Sequence, residues 1–300
     1  MKNSRLLRST ICAISLIALA ACGTPGAAVG NAASRTTAQA VNFQQIRNAT
    51  IKVEYAGTTF LVDPMLAAKG AYPGFEGTPN SHLRNPLVDL AMPVSEVIKA
   101  DAIIVTHTHA DHWDEAAKQG LTKNMPIFAQ DEADAAAIRK EGYTNVRVLT
   151  ENTTFNGTRL SPIHAQHGTE AMMAAAPLAK LLGEATGVVF QRVGYKTVYV
   201  AGDTIWTPQV EEAIRRYQPE VIVLNSGYAR VLGFDGSIIM GKEDLYRAYQ
   251  LAPTSTVIGS HMDAINHMTQ TRQDLRDYIA EKGMDPQRVL VPADGQSYRF

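Results

Sequence analysis

The segment that most constrains this 300-residue chain is Ala102-Ile103-Ile104-Val105, an apolar run that leads directly into Thr106-His107-Thr108-His109-Ala110-Asp111-His112. A short continuous apolar run that ends abruptly in polar residues reads as a buried strand whose end opens at the edge of a sheet. Three histidines and an aspartate then fall within six residues. His107 and His109 are two apart, so an extended backbone puts both imidazoles on one side, while Asp111 and His112 come from the turn that follows. Neutral imidazole nitrogens and a carboxylate are the donors that zinc and similar divalent ions accept. A surface histidine loop would have no need of the hydrophobic strand in front of it.

Composition narrows the chemistry further. The two cysteines, Cys12 and Cys22, both lie in the first 22 residues. The body of the chain therefore has no thiolate ligand, no cysteine nucleophile and no disulfide framework. Ser226 and Ser260 lack a G-x-S-x-G frame, so no serine elbow competes as nucleophile. With 28 basic against 29 acidic residues, the net charge of −1 gives none of the basic excess of a nucleic-acid binder, and no nucleic-acid partner is expected.

The N-terminus carries Lys2, Arg5 and Arg8 ahead of the apolar run Ile11 to Ala21, the order of a secretory signal, and the run is too short to span a bilayer comfortably. Residues 1–21 are set apart as that signal. Leu19-Ala20-Ala21-Cys22-Gly23 resembles the lipobox of bacterial lipoproteins, which implies cleavage before Cys22 and lipid attachment to it; ordinary signal-peptidase cleavage, releasing a soluble periplasmic protein, is the alternative. Residues 22–40 are mostly small and polar, with one charge at Arg35, and form a flexible tether. Without the three signal cations, 25 basic residues face 29 acidic ones, a net of −4, so acyl chains rather than attraction to anionic lipid would hold the protein to a membrane. The expected location is the bacterial periplasm.

Residues 41–300 show no linker, charge block or repeat and are read as one domain. Ile51, Val53 and Tyr55 alternate, and Thr59 to Val62 follow the Ala56-Gly57 turn, which predicts a hairpin ending at Asp63-Pro64. Residues 65–93 have no periodicity and form an unusually long loop, a candidate functional segment. Strands are predicted over Ala102–Thr106, Pro126–Ala129, Val146–Leu149, Gly187–Arg192, Thr197–Ala201, Val221–Leu224 and Thr256–Gly259. Helices are predicted over Asp131–Glu141, Pro208–Tyr217, Lys242–Leu251 and Thr271–Lys282. The sum is a layered α/β domain whose strand ends carry the chemistry.

The H-x-H-x-D-H segment resembles the metal-binding signature of the metallo-β-lactamase superfamily, hydrolases with an αββα four-layer sandwich. Three later segments fit in the right order: Ser161-Pro162-Ile163-His164-Ala165-Gln166-His167-Gly168, Ala201-Gly202-Asp203-Thr204 and Val257-Ile258-Gly259-Ser260-His261. The resemblance spans residues 47–296. It implies one metal on His107, His109 and His167, a second on Asp111, His112 and His261, and Asp203 bridging, with Asp111 and Asp203 as the carboxylates at the reacting centre. His164 is the rival to His167. Asp63, in Leu61-Val62-Asp63-Pro64, matches an aspartate that supports the histidine loop, with a plain Asp-Pro turn as the alternative. His82 and His267 have no motif around them and are read as packed or exposed.

The resemblance implies two divalent ions, zinc first with manganese or iron compatible, that activate a shared water for hydrolysis of an ester, lactone, thioester, amide or phosphodiester. Drug-hydrolysing β-lactamases have Cys or Ser where this chain has Asp203, which disfavours a penicillin. "LVDP", "DHWDE", "AQHG" and "VYVAGDT" are similar to the branch containing ascorbate-6-phosphate lactonase and the N-acyl-phosphatidylethanolamine phospholipase D enzymes. The leading expectation is thus an ester or lactone hydrolase, ahead of a lipid or nucleotide phosphodiesterase and of a lipoprotein that binds metal or a partner without catalysis. The insertion Thr169 to Ala185, with Met172, Met173, Leu178, Leu181 and Leu182, reads as an apolar lid or as a helix that simply packs on the core. Tyr72 and Phe75 are candidates for the facing wall, and Trp113, Trp206 and Tyr228 for the substrate pocket. A small substrate with an apolar part is expected.

Overall fold

The computed structural model describes residues 39–300. The expected signal peptide, Cys22 and the tether up to residue 38 lie outside the described residues. The first sheet has the order β14-β1-β2-β3-β4-β5-β6, built from β1 (Asn42–Arg47), β2 (Thr50–Tyr55), β3 (Thr58–Val62), β4 (Ala102–Val105), β5 (Ile127–Ala129), β6 (Val146–Val148) and β14 (Ser297–Arg299). The second has the order β13-β12-β11-β10-β9-β8-β7, from β7 (Thr154–Phe155), β8 (Thr158–Ala165), β9 (Ala185–Gln191), β10 (Val198–Val200), β11 (Val221–Asn225), β12 (Thr256–Ser260) and β13 (Val289–Leu290). In each sheet an antiparallel meander passes into three parallel pairings, β3·β4·β5·β6 and β10·β11·β12·β13.

Strand alternation sorts the side chains into layers. Along β4, Ala102 and Ile104 enter the core between the sheets, where they meet Val188, Phe190 and Val223 of the opposite sheet, while Ile103 and Val105 face outward. There Ala117 of α2 (Glu115–Gly120) and Ala135 and Ile138 of α3 (Glu132–Lys140) cover them. Tyr199 and Ala201 likewise point away from the inter-sheet core and pack with Val210 and Ile214 of α6 (Pro208–Tyr217), Leu245 of α7 (Lys242–Leu251) and Leu275 of α8 (Arg272–Glu281). The result is the expected α/β arrangement, helices outside two stacked sheets in an αββα sandwich.

The helices read from periodicity match closely, and α6 and α7 coincide with their predicted spans. The hairpin is β2 and β3. Unforeseen are β1, β7, β8, β13 and β14, and the short helices α1 (Val94–Val97) and α2. The insertion folds as two helices, α4 (Glu170–Ala174) and α5 (Ala176–Leu182). Between β3 and α1 the long loop has no helix or strand, only a bridge between Tyr72 and Asn85. Side chains hold it instead. Buried Arg47 donates to the carbonyls of Met65, Ala67 and Val88, and Asp114 accepts from the amides of Leu66 and Ala67.

Candidate metal centre

The chemistry-bearing residues lie past the C-terminal ends of the strands, where a sheet edge leaves backbone free to turn. Asp63 follows β3, His107 follows β4, His167 follows β8, Asp203 follows β10 and His261 follows β12. Asp63 and His261 both take the left-handed conformation, at φ 48° and 59°, which turns each chain sharply at its strand end. Gly202 does the same before Asp203, at φ 69°; a Cβ there would lie 2.5 Å from the carbonyl oxygen of Thr186, so only glycine fits.

All seven expected ligands converge. Donor atoms of His107, His109 and His167 form one group and those of Asp111, His112 and His261 another, each within 4.8 Å, and Asp203 groups with His107 and His112 between them. Asp203 Oδ2 is 3.1 Å from His112 Nε2, 3.6 Å from His261 Nε2, 3.9 Å from His167 Nε2 and 4.0 Å from His107 Nε2. Its other oxygen accepts from Asn225 Nδ2 at 2.6 Å, which fixes the carboxylate with one oxygen aimed at the cluster. Asp111 Oδ2 lies 3.5 Å from His261 Nε2 and 3.7 Å from His112 Nε2.

Hydrogen bonds around the cluster set the imidazole tautomers. His112 gives its Nδ1–H to Asp63 Oδ2 at 2.9 Å, and Asp63 also accepts from the amide and hydroxyl of Thr106. His167 Nδ1 is 2.9 Å from the Ile238 carbonyl and His109 Nε2 is 2.9 Å from the Leu181 carbonyl. His107 Nδ1 is 3.2 Å from the Thr106 hydroxyl. Each of these four rings therefore turns its remaining nitrogen, with its lone pair, inward. Two such nitrogens, His107 Nε2 and His109 Nδ1, are 2.9 Å apart, and His112 Nε2 and His261 Nε2 are 3.1 Å apart. The lone pairs of His107 and His109 at that distance repel unless a cation lies between them, and among the described residues no Lys or Arg forms an ion pair with Asp111 or Asp203. The donor set, all nitrogen and oxygen, fits divalent cations.

The electrostatics show the same tension. Burial and the neighbouring imidazoles of His112 and His109 hold His107 well below the ordinary histidine range, and burial takes His167 down to about 4. Burial opposes charge on His112 too, but the carboxylates of Asp203, Asp111 and Asp63 outweigh it and raise His112 well above that range. Burial would raise Asp203, yet His112 and His261 hold it well below the usual carboxylate value.

A cavity of about 470 Å³ opens above the cluster, floored by His109, Asp111, His167 and Asp203. Its walls are mainly apolar, with Phe75 from the long loop, Leu181 and Leu182 from α5, and Val231 and Ile238. The insertion is thus a wall of the site as well as a packing element, since Met172 and Leu182 also pack on Ile238 and Ile239.

Several expectations are corrected here. Trp113 is 1% exposed and packs under the first sheet, with its Nε1–H on Glu141, because the residue after His112 points into the helix layer. Trp206 packs against the outer face of the second sheet and donates to Glu211. Tyr228 lays its ring against Gly241. None of the three lines the cavity. Tyr72 is tied by its hydroxyl to Asp114 and the Ala116 amide, leaving Phe75 as the loop's contribution. His164 is 60% exposed beside Glu184 and outside the cluster. Asn225 and His267, which lines the cavity, went unrecognised; neither sits in a motif, and only the fold brings them to the site.

Residues 58–262 match the Beta-lactamase superfamily domain. The chain belongs to the metallo-β-lactamase superfamily. Among proteins similar to it is the UPF0173 protein YddR of Bacillus subtilis, 44% identical over 261 residues, which is 87% of this chain and 100% of YddR. The structure of an isothiocyanate hydrolase from Delia radicum gut bacteria is 47% identical, with a TM-score of 0.83 covering 87% of this chain and 99% of that one. A possible metal-dependent hydrolase of Veillonella parvula is 43% identical, with a TM-score of 0.85 and the same coverage. Like its relatives, this superfamily member is a metal-dependent hydrolase.

Proposed function

We propose that this protein is an exported hydrolase, anchored by lipid on Cys22 at the periplasmic face of a membrane, that uses two divalent ions to hydrolyse isothiocyanates bearing an apolar substituent. The observation that carries the catalytic reading is Asp203 Oδ2, placed within 4.0 Å of four imidazole nitrogens beneath an apolar cavity. His107, His109 and His167 would hold one ion, Asp111, His112 and His261 the other, and Asp203 would bridge them. Zinc is the first candidate, with manganese and iron compatible with the same donors. Such a pair supplies a water with its pKa lowered to about 7 and a positive field at the cavity floor.

The substrate class is supported by the 47% identical isothiocyanate hydrolase and by the shape of the site. An R–N=C=S group is a small neutral electrophile on an apolar stem. The stem suits Phe75, Leu181, Leu182, Val231 and Ile238, and the central carbon would lie over the floor. Ester and lactone carbonyls are the expected competitors at the same floor. A phosphodiester is disfavoured, because no Lys or Arg lines the cavity to meet its charge.

The test is the purified protein loaded with zinc, manganese or iron(II) and given phenethyl isothiocyanate, a nitrophenyl ester, a lactone and a bis-nitrophenyl phosphate. Amine release from the isothiocyanate, lost on chelation and restored by metal, is the expected result. Turnover confined to the ester or lactone would move the substrate class, and inertness of a metal-loaded protein toward all four would leave a non-catalytic metal binder. His109→Ala and Asp203→Ala should each lose turnover together with metal content.

A further inference from the structure

His267 lies in the loop after β12, six residues beyond His261, and is only 7% exposed. Its imidazole makes no hydrogen bond to any described residue, and Nδ1 is buried without a partner. A buried polar atom left unpaired costs about 1–3 kcal/mol, a cost that goes with holding this ring at the cavity wall; Nδ1 is enclosed, which leaves Nε2 as the nitrogen a ligand can reach. The ring is not loose. Its neighbour Asn266 makes six hydrogen bonds to the long loop: with the Phe75 amide, both side-chain polar atoms of Asn85, the Thr78 hydroxyl, the Pro79 carbonyl and the Asn80 side chain. The His267 carbonyl accepts from the Arg230 amide, and Phe75 packs edge-on against the imidazole with centroids 5.1 Å apart. His267 belongs to none of the metal-holding groups.

Burial takes His267 down to about 4, against the pull of Asp111, so the ring is neutral near pH 7, with one N–H and one lone pair. It lines the same cavity as the carboxylates of the floor and packs against its Phe75 wall.

We propose that His267 is a catalytic residue of this hydrolase, whose imidazole N–H donates to the isothiocyanate nitrogen as negative charge develops on it. It rests on the isothiocyanate reading above. With the apolar stem against Phe75 and the central carbon over the floor, the nitrogen between them would come within reach of His267, which packs on Phe75 and lines the same cavity. Hydroxide adds to the central carbon, a C–O bond forms, the C=N π pair moves onto nitrogen, and the charge of the hydroxide passes to the adduct. The imidazole N–H receives that growing charge as a hydrogen bond and keeps its proton. The adduct takes one proton from water on nitrogen, and its O–H proton then passes to nitrogen as the C–N bond breaks, which releases the amine and carbonyl sulfide. A donor aimed at developing charge acts mainly on kcat.

The test compares wild type, His267→Leu and His267→Gln, each shown by melting temperature and metal analysis to be folded and loaded with zinc. His267→Leu should lose about 100-fold or more in kcat on phenethyl isothiocyanate with KM little changed, and His267→Gln, which keeps an N–H, should recover at least about 10-fold of that. As a control, Val193→Ala, at a fully exposed position outside the cavity, should leave kcat unchanged. An active wild type whose Leu variant keeps its kcat overturns the assignment of His267 alone. A His267→Gln variant as inactive as His267→Leu, with metal retained, also overturns it. A zinc-loaded wild type inert toward isothiocyanates overturns the substrate class and this role together.

Discussion

Asp63 supports the site without taking part in it. One carboxylate accepts the Thr106 amide and hydroxyl and the His112 Nδ1–H, so it fixes both the entry to the histidine loop and the tautomer of one ligand. In Asp63→Asn an amide N–H would face one of those donors and turn His112 away. Metal affinity should fall about 10- to 100-fold, read by chelator competition, with the fold preserved. Gly202→Ala should act from the other side of the cluster. Its Cβ would collide with the Thr186 carbonyl and displace Asp203, so the variant should bind less metal and melt earlier than wild type. The ligands were legible in sequence because metal chemistry restricts residue types and because His107, Asp203 and His261 follow strands that their apolar runs reveal. Asn225 and His267 were not, since an amide or a lone imidazole has many roles and only the fold reveals which neighbours it meets. The aromatics near His112 and Asp203 misled for the same reason: sequence proximity to a ligand does not fix which side of the strand a ring takes.

Elements were legible where one period dominated. Helices α6 and α7 carry clear apolar stripes bounded by caps, and the parallel strands are short apolar runs. Strand β8 was missed because Pro162 and the polar residues around it break the alternation, and β1 because Gln44, Gln45 and Arg47 are polar in a strand whose apolar side chains, Phe43 and Ile46, pack in different cores. Arg47 explains why that polarity is kept. Its guanidinium reaches three carbonyls of the long loop and substitutes for the secondary structure the loop lacks. Arg47→Met should remove those bonds and leave buried carbonyls unpaired, at a cost of about 3 kcal/mol. Urea unfolding should show the lower midpoint, and a raised KM should accompany it because Phe75 rides on the same loop.

At the scale of the whole molecule, the two sheets bring segments distant in sequence to one edge, and the cavity walls come from residues 75–78, 181–182, 231–238 and 267. The four-layer arrangement followed from the family resemblance, but the walls could not be read, because loops meet there without any shared pattern. Every proposed ligand and wall lies in residues 39–300, and the first described contacts are those of Gln39, whose amide donates to the Gly194 carbonyl at 2.7 Å. Anchoring and catalysis should therefore separate. A protein lacking residues 1–36 should keep the melting temperature, metal content and kcat of the longer chain, because every described residue that holds the cluster is retained. In an exporting bacterial host, the full chain should sediment with membranes and Cys22→Ser should not, because a mature net charge of −4 gives no electrostatic hold on anionic lipid. Membrane association that survives Cys22→Ser would refute the lipid anchor. Loss of turnover on removing residues 1–36 would instead show that the N-terminal segment contributes to the site.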